Sequence, residues 1–346
     1  MRTSSSPDSV ITTVATLGRI VWAKADWLSP TSRSRLNNTV AARIYEYKDK
    51  FELPVDKLGY HIHSITPAKK MSSSVKNFSG ISASLITLAA LLFASTAVLA
   101  HDFWVESDSY NPVVGERVEI RLREGVEFKG DTLPYIPEWF KDFSVVDSDG
   151  RSPVVSRMGD DPAAILTAQE GAILVGYRSN RSYVELDAAK FNSYLEDEGI
   201  EFIREQRIAA GEDDQPAPEY FVRCAKALVY SGADEASVFK TELGYILELI
   251  AIDDPQALVS GDDMRFQLKY RGEPVENLLL QAFTRAEPGQ KQKVRTDAEG
   301  MATIKLIEPG VWMVKAVNIQ QIIGDPKAKW QSYWASYMFE LVSAEL

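Results

Sequence analysis

From His101 to the end, the chain is written mainly in short apolar-alternating runs separated by turn residues, the pattern of sandwich-type β domains. Arg117–Arg123 alternates cleanly, with Val118, Ile120 and Leu122 on one face. Ser144–Val146 runs into the turn Asp147-Ser148-Asp149-Gly150, and Ala172–Tyr177 and Ser182–Leu186 read as two more strands. One insertion has helical spacing instead. Asp187 is placed as an N-cap, Phe191, Tyr194 and Leu195 follow on one side, and Gly199 is placed as a stop. A second helix is expected over Ile200–Ala210, ahead of the acidic loop Gly211–Pro216.

Beyond Glu242 the strand pattern resumes without helices. Tyr245–Ile252, Asp262–Tyr270, Leu278–Arg285, Met301–Leu306, Val311–Asn318 and Ser332–Val342 read as strands, and Asp297 with Gly300 marks a tight hairpin. The fold expected is all-β, with two β-sandwich domains: residues 101–240, carrying the short helical insertion, and an immunoglobulin-like or prealbumin-like sandwich over residues 241–346.

The first hundred residues read differently. Met71–Ala100 has Lys76 in a short polar start, an uncharged apolar stretch from Ile81 to Leu99, and small residues at Val98 and Ala100. That is the form of a secretory signal peptide cut before His101, which predicts a periplasmic protein. Left uncut, the same stretch would be the chain's one membrane contact. Residues 1–70 are weakly patterned and read as an upstream extension from a mis-assigned start.

Charge divides at the same place. The whole chain holds 38 Lys and Arg against 49 Asp and Glu; residues 1–100 hold 12 and 6, which leaves 26 and 43 for the rest. A surface that acidic repels phosphate backbones and attracts cations, so nucleic acid is a poor partner.

Several segments of the exported part carry a family resemblance. They are Ala100–Val105 (AHDFWV), Glu219–Leu228 (EYFVRCAKAL), Leu243–Glu248 (LGYILE), Gly272–Val275, Thr296–Gly300, Gly310–Val317 (GVWMVKAV) and Trp330–Ser336 (WQSYWAS). Together they resemble the DUF4198 family, which is related to substrate-recognition components of nickel and cobalt importers. The resemblance implies a periplasmic accessory protein of metal uptake, with a metal ion as ligand and an inner-membrane transporter or another envelope protein as partner. Relatives often carry a histidine just after the strand matching Gly310–Val317, where this chain has Asn318.

Candidate chemistry concentrates at His101. Cleavage before it would free an α-amine beside an imidazole, and the two can close a chelate ring on a divalent transition metal such as nickel, cobalt or copper. Asp102 is the nearest carboxylate, so His101 and Asp102 are the expected metal ligands. A histidine-brace copper oxygenase would need a second histidine, and beyond His101 the exported part has none. No phosphate-cradling glycine loop, nucleophile elbow or zinc-protease motif is present, so the expected protein is not an enzyme. Trp330, Tyr333, Trp334 and Tyr337 could stack on sugars, which keeps open a second reading as a structural, interaction or glycan-binding module. Cys224 reads as a small buried hydrophobe, and the carboxylate pairs Glu196/Glu198 and Asp253/Asp254 as solvated faces.

Overall fold

The computed structural model describes residues 102–233 and 235–343; the expected extension, the signal segment and His101 lie outside the described residues. The described chain is all-β, with two short helices. Seventeen strands build three sheets. One small sheet holds β1 (Asp102–Ser107), β2 (Arg117–Val126), β3 (Lys129–Leu133) and β6 (Ala164–Thr167). Another holds β10 (Leu247–Ala251), β11 (Asp263–Tyr270), β12 (Glu273–Pro274) and β15 (Met301–Lys305).

Between them lies a nine-stranded sheet. From the first half come β4 (Phe140–Asp147), β5 (Gly150–Pro153), β7 (Gly171–Ser179), β8 (Ser182–Leu186) and β9 (Ala217–Ser231). The second half gives β13 (Leu279–Thr284), β14 (Gln292–Arg295), β16 (Gly310–Gln321) and β17 (Trp330–Leu341). Its order is β14-β13-β16-β17-β9-β7-β4-β5, with β8 continuing beside β9. The halves join where β17 pairs parallel with β9, Ser336 standing opposite Ala225.

Alternation along the central strands decides the layers. On β9, Cys224, Leu228 and Tyr230 pack with Leu247, Leu249, Met264, Phe266 and Leu268 of the second small sheet. The intervening Ala225, Ala227 and Val229 pack with Trp104, Val118, Ile120 and Leu122 of the first. On β17, Tyr337 and Phe339 face the second small sheet, and Met338 faces the first. The central sheet is therefore covered on both faces, which explains why β9, β16 and β17 are buried along most of their length.

Two sandwiches are present, as expected, but they are not separate bodies meeting near residue 240. They share their middle layer. Phe283, Met313 and Met338 of the second half complete the first core, and Val146, Ala172 and Leu174 of the first half complete the second.

The helical insertion forms as its caps dictate. Asp187 Oδ1 accepts from the Lys190 amide at 2.9 Å and starts α1 (Ala188–Asp197). Gly199 ends it at φ +67°, where a Cβ would stand 2.6 Å from Leu279 Cδ2. Next comes α2 (Glu201–Ala209). Phe191, Tyr194, Leu195, Ile200 and Ile203 from this insertion bury Val317, Ile319 and Trp330 at one end of the central sheet. Among the described residues no helix is long and apolar enough to cross a membrane.

Candidate functional site

Lys315 lies in the middle of β16, on the face turned toward the first small sheet and the helical insertion, and only 6% of it is exposed. Its ammonium donates to Asp102 Oδ1 at 2.6 Å and to Glu198 Oε1 at 2.7 Å. Gln281, opposite Lys315 on β13, donates through Nε2 to the other oxygen of Glu198 at 3.0 Å and to the Asp197 carbonyl at 2.9 Å. Asp102, Glu198 and Gln281 are all buried. One residue comes from the first strand, one from the end of α1 and two from the second half, so the cluster joins three distant parts of the chain.

Electrostatics there follow from the count of charges. Burial works against the Lys315 ammonium, but Glu198 and Asp102 outweigh it and hold its pKa above the usual lysine range. Burial raises the pKa of Glu198, Lys315 lowers it and Asp102 raises it again, leaving it above an ordinary carboxylate.

Of the two expected metal ligands, Asp102 is thus placed against a lysine, and His101 lies outside the described residues. The chain around Asp102 is fixed: the Phe103 carbonyl accepts from Ser336 Oγ at 2.8 Å, and Phe103 and Trp104 are buried in the first core. Among the described residues no three His, Cys, Asp or Glu side chains are grouped closely enough to hold a metal ion.

Glu198 does not sit on a solvated face, as its spacing from Glu196 suggested. Four residues past Tyr194 and three past Leu195, it lies on the buried face of α1 and meets Lys315, while Glu196 stays exposed and pairs with Arg204. Asp253 chelates Arg265 from the surface, and Asp254 accepts from Tyr230 Oη at 2.6 Å. The acidic loop is also ion-paired, Glu212 with Lys329 and Asp213 with Arg204. Asn318 lies within β16 opposite Tyr333, three residues past Lys315 and hence on the other face of the sheet. A ligand at that position would not converge on Asp102.

The four aromatic residues weighed for sugar stacking divide. Trp330, Tyr333 and Tyr337 are core residues, whereas Trp334 is half-buried and stacks on Tyr194 with centroids 5.2 Å apart. Cys224 is buried on β9, and burial pushes its thiol up to about 11.

A second buried ion pair occupies the opposite face of the central sheet. Lys226 donates to Glu248 at 2.6 Å and to the Thr241 carbonyl at 3.0 Å. Glu248 also accepts from the amides of Leu243, Gly244 and Tyr245. This accounts for two of the segments singled out from sequence: the lysine of EYFVRCAKAL meets the glutamate of LGYILE, whose carboxylate caps that segment's own loop.

Sequence reasoning missed Lys315, Glu198, Gln281, Lys226, Glu248 and Glu219. The usable signal was a lysine centred in each of two apolar runs, Cys224–Leu228 and Val311–Val317, because a lysine with apolar neighbours on both sides must find a buried carboxylate.

The fold and these clusters define a class: a three-layered β protein tied together by buried ion pairs. The family described as a domain of unknown function, DUF4198, matches residues 98–320, and the chain belongs to it. Two solved structures are similar to part of this chain. One is a tetra-tandem repeat in the extending region of a large adhesion protein, at 12% identity and TM-score 0.16, covering 69% of this chain and 49% of that one. This chain therefore spans about half the length of that structure. The other is the D0-D1 domain of intimin, at 14% identity and TM-score 0.18, covering 69% of this chain and 97% of that one. No curated protein matches.

Proposed function

We propose that the chain is exported, cut before His101, and acts as a non-enzymatic periplasmic protein that binds a divalent transition metal at its new N-terminus. The observation that carries this reading is the anchoring of Asp102. It is buried and held by Lys315, which also holds Glu198, so a freed α-amine and imidazole one residue away extend from a fixed point. An anchored neighbouring residue lessens the freedom that the chain loses on binding. His101 supplies the two nitrogen donors, a set suited to nickel, cobalt or copper. Asp102 acts first by position. Its carboxylate becomes a ligand only on leaving Lys315, with Glu198 then holding the ammonium alone. The recipient is an inner-membrane importer or another envelope protein.

The test compares cleaved protein, a form with one alanine ahead of His101, and His101→Ala, each titrated with Cu(II) and Ni(II) by calorimetry. The extra residue breaks the amine–imidazole ring while sparing the imidazole, and should weaken binding at least tenfold, about 1.4 kcal/mol. Lower pH should weaken it too, since protons compete for both nitrogens. The intact mass of periplasmic protein establishes the cleavage site. Equal binding by all three forms, or none by any, would remove the metal from this end and leave the interaction-module reading.

A further inference from the structure

Three buried glutamates stand on or against the central sheet, and they are not treated alike. Glu248 has Lys226 and three backbone amides; Glu198 has Lys315 and Gln281. Glu219, on β9 beneath the helical insertion, is 2% exposed and has no cation. Ser332 Oγ donates to its Oε1, and its Oε2 has no hydrogen-bond partner. Ser332 in turn accepts from Trp334 Nε1 at 2.9 Å.

The groups around Glu219 give it nothing positive. Its strand neighbours are Trp330 on β17 and Val184 on β8. From α1, Tyr194 lies close enough to feel Glu219, Glu198 and the Ser332 hydroxyl, and it brings no positive charge. From α2, Arg207 turns instead toward the Phe191 ring and the Gln215 carbonyl. A buried carboxylate in such a place is stable only with its proton on. Burial accordingly pushes Glu219 up to about 7, against the smaller effect of the Ser332 hydrogen bond.

We propose that the α1–α2 insertion is a pH-sensitive cap, held on the end of the central sheet while Glu219 is protonated and loosened when Glu219 ionises. The sign is set by linkage. Because the folded form binds this proton more tightly than the open form, the closed cap is favoured fully below the ordinary carboxylate range. That advantage is lost as pH rises toward and through about 7. Opening would expose Trp330 and free Trp334 from Tyr194.

Amide hydrogen exchange over residues 188–209, corrected for intrinsic rates, tests this at pH 5 and pH 8. The opening equilibrium should rise at least tenfold across that range in the full chain, about one pKa unit of linkage. In Glu219→Gln, which keeps the shape and removes the charge, the part of this rise that Glu219 contributes should vanish, leaving a clearly shallower pH profile. Should that variant fail to fold, carbon-13 NMR of the wild-type Glu219 carboxyl gives a second measurement, expected to titrate near neutrality. An ordinary carboxylate titration, no pH-dependent opening, or the same pH profile in Glu219→Gln would each overturn the proposal. Glu198, also raised by burial, is present in both proteins and cannot produce a difference between them.

Discussion

Lys226 and Lys315 make a natural comparison, since both are buried ammoniums on inner strands of the same sheet, facing opposite sandwiches. Lys226 has one carboxylate, and that carboxylate is shared with three backbone amides. Burial dominates there, and its pKa falls below the usual lysine range even with Glu248 beside it. Lys315 has two carboxylates, and its pKa rises. A second carboxylate reverses the sign. The reach of the two clusters differs as well. Lys226 secures the loop at 241–245, between the two halves, whereas Lys315 ties Asp102 and Glu198, 213 and 117 residues away, to the second half. One is a local fastener. The other holds the first strand and the helical insertion to the same point of the central sheet.

The largest effect expected from this difference is that of Lys315→Met. The substitution keeps the bulk of the side chain but leaves Asp102 and Glu198 buried without their cation, and removing one partner of a buried pair typically costs about 3–5 kcal/mol. Denaturant unfolding measures it, and protection should fall at both β1 and α1, the two elements that Lys315 holds. Loss confined to one of them would break the idea of a three-way tie.

Lys226→Met should cost less, about 1–3 kcal/mol, because Glu248 keeps its three amide donors and only the Thr241 carbonyl and one carboxylate oxygen lose a partner. Its exchange signature should stay near residues 241–248. If the two lysine variants proved equally destabilising, the number of carboxylates around each ammonium would not be what separates them.

The same contrast shows what could be read from residues alone. Elements with one solvated face were legible: Val118, Ile120 and Leu122 of β2 are buried as their alternation indicates, and the Asp187 cap and Gly199 stop bound α1 as expected. The central strand β9, buried on both faces, was not. The fifteen residues of β9 carry no alternation, because successive side chains enter two different cores. Nor does local sequence encode that β17 lies parallel beside β9, a pairing across about a hundred residues that only the packing of the two halves selects. The buried charges were hidden for a related reason. Glu196 and Glu198 differ only in helical phase: Glu198 follows Tyr194 and Leu195 on the buried face of α1 and meets Lys315, whereas Glu196 points to water.

The smallest effect expected comes from Gly176, and it tests the Lys226 side of the comparison without touching a charge. Gly176 lies on β7, on the face that carries Ala172 and Leu174 into the second core. A Cβ there would come within 2.2 Å of Leu243 Cδ1 and 2.5 Å of the Tyr245 hydroxyl. The loop carrying those residues cannot simply move away. Glu248 caps its amides, Arg151 Nη1 donates to the Leu243 carbonyl at 2.9 Å, and Tyr245 donates to Asp142 at 2.5 Å. Gly176→Ala should therefore destabilise by overpacking, by about 1 kcal/mol, at the low end because the Leu243 methyl is the movable end of a flexible side chain. Thermal unfolding reads the size of the effect. A double mutant with Lys226→Met reads its meaning: if Lys226 and Gly176 both act by holding the loop at 241–245, their costs should combine to less than their sum, and strict additivity would show that the loop is held by two independent means.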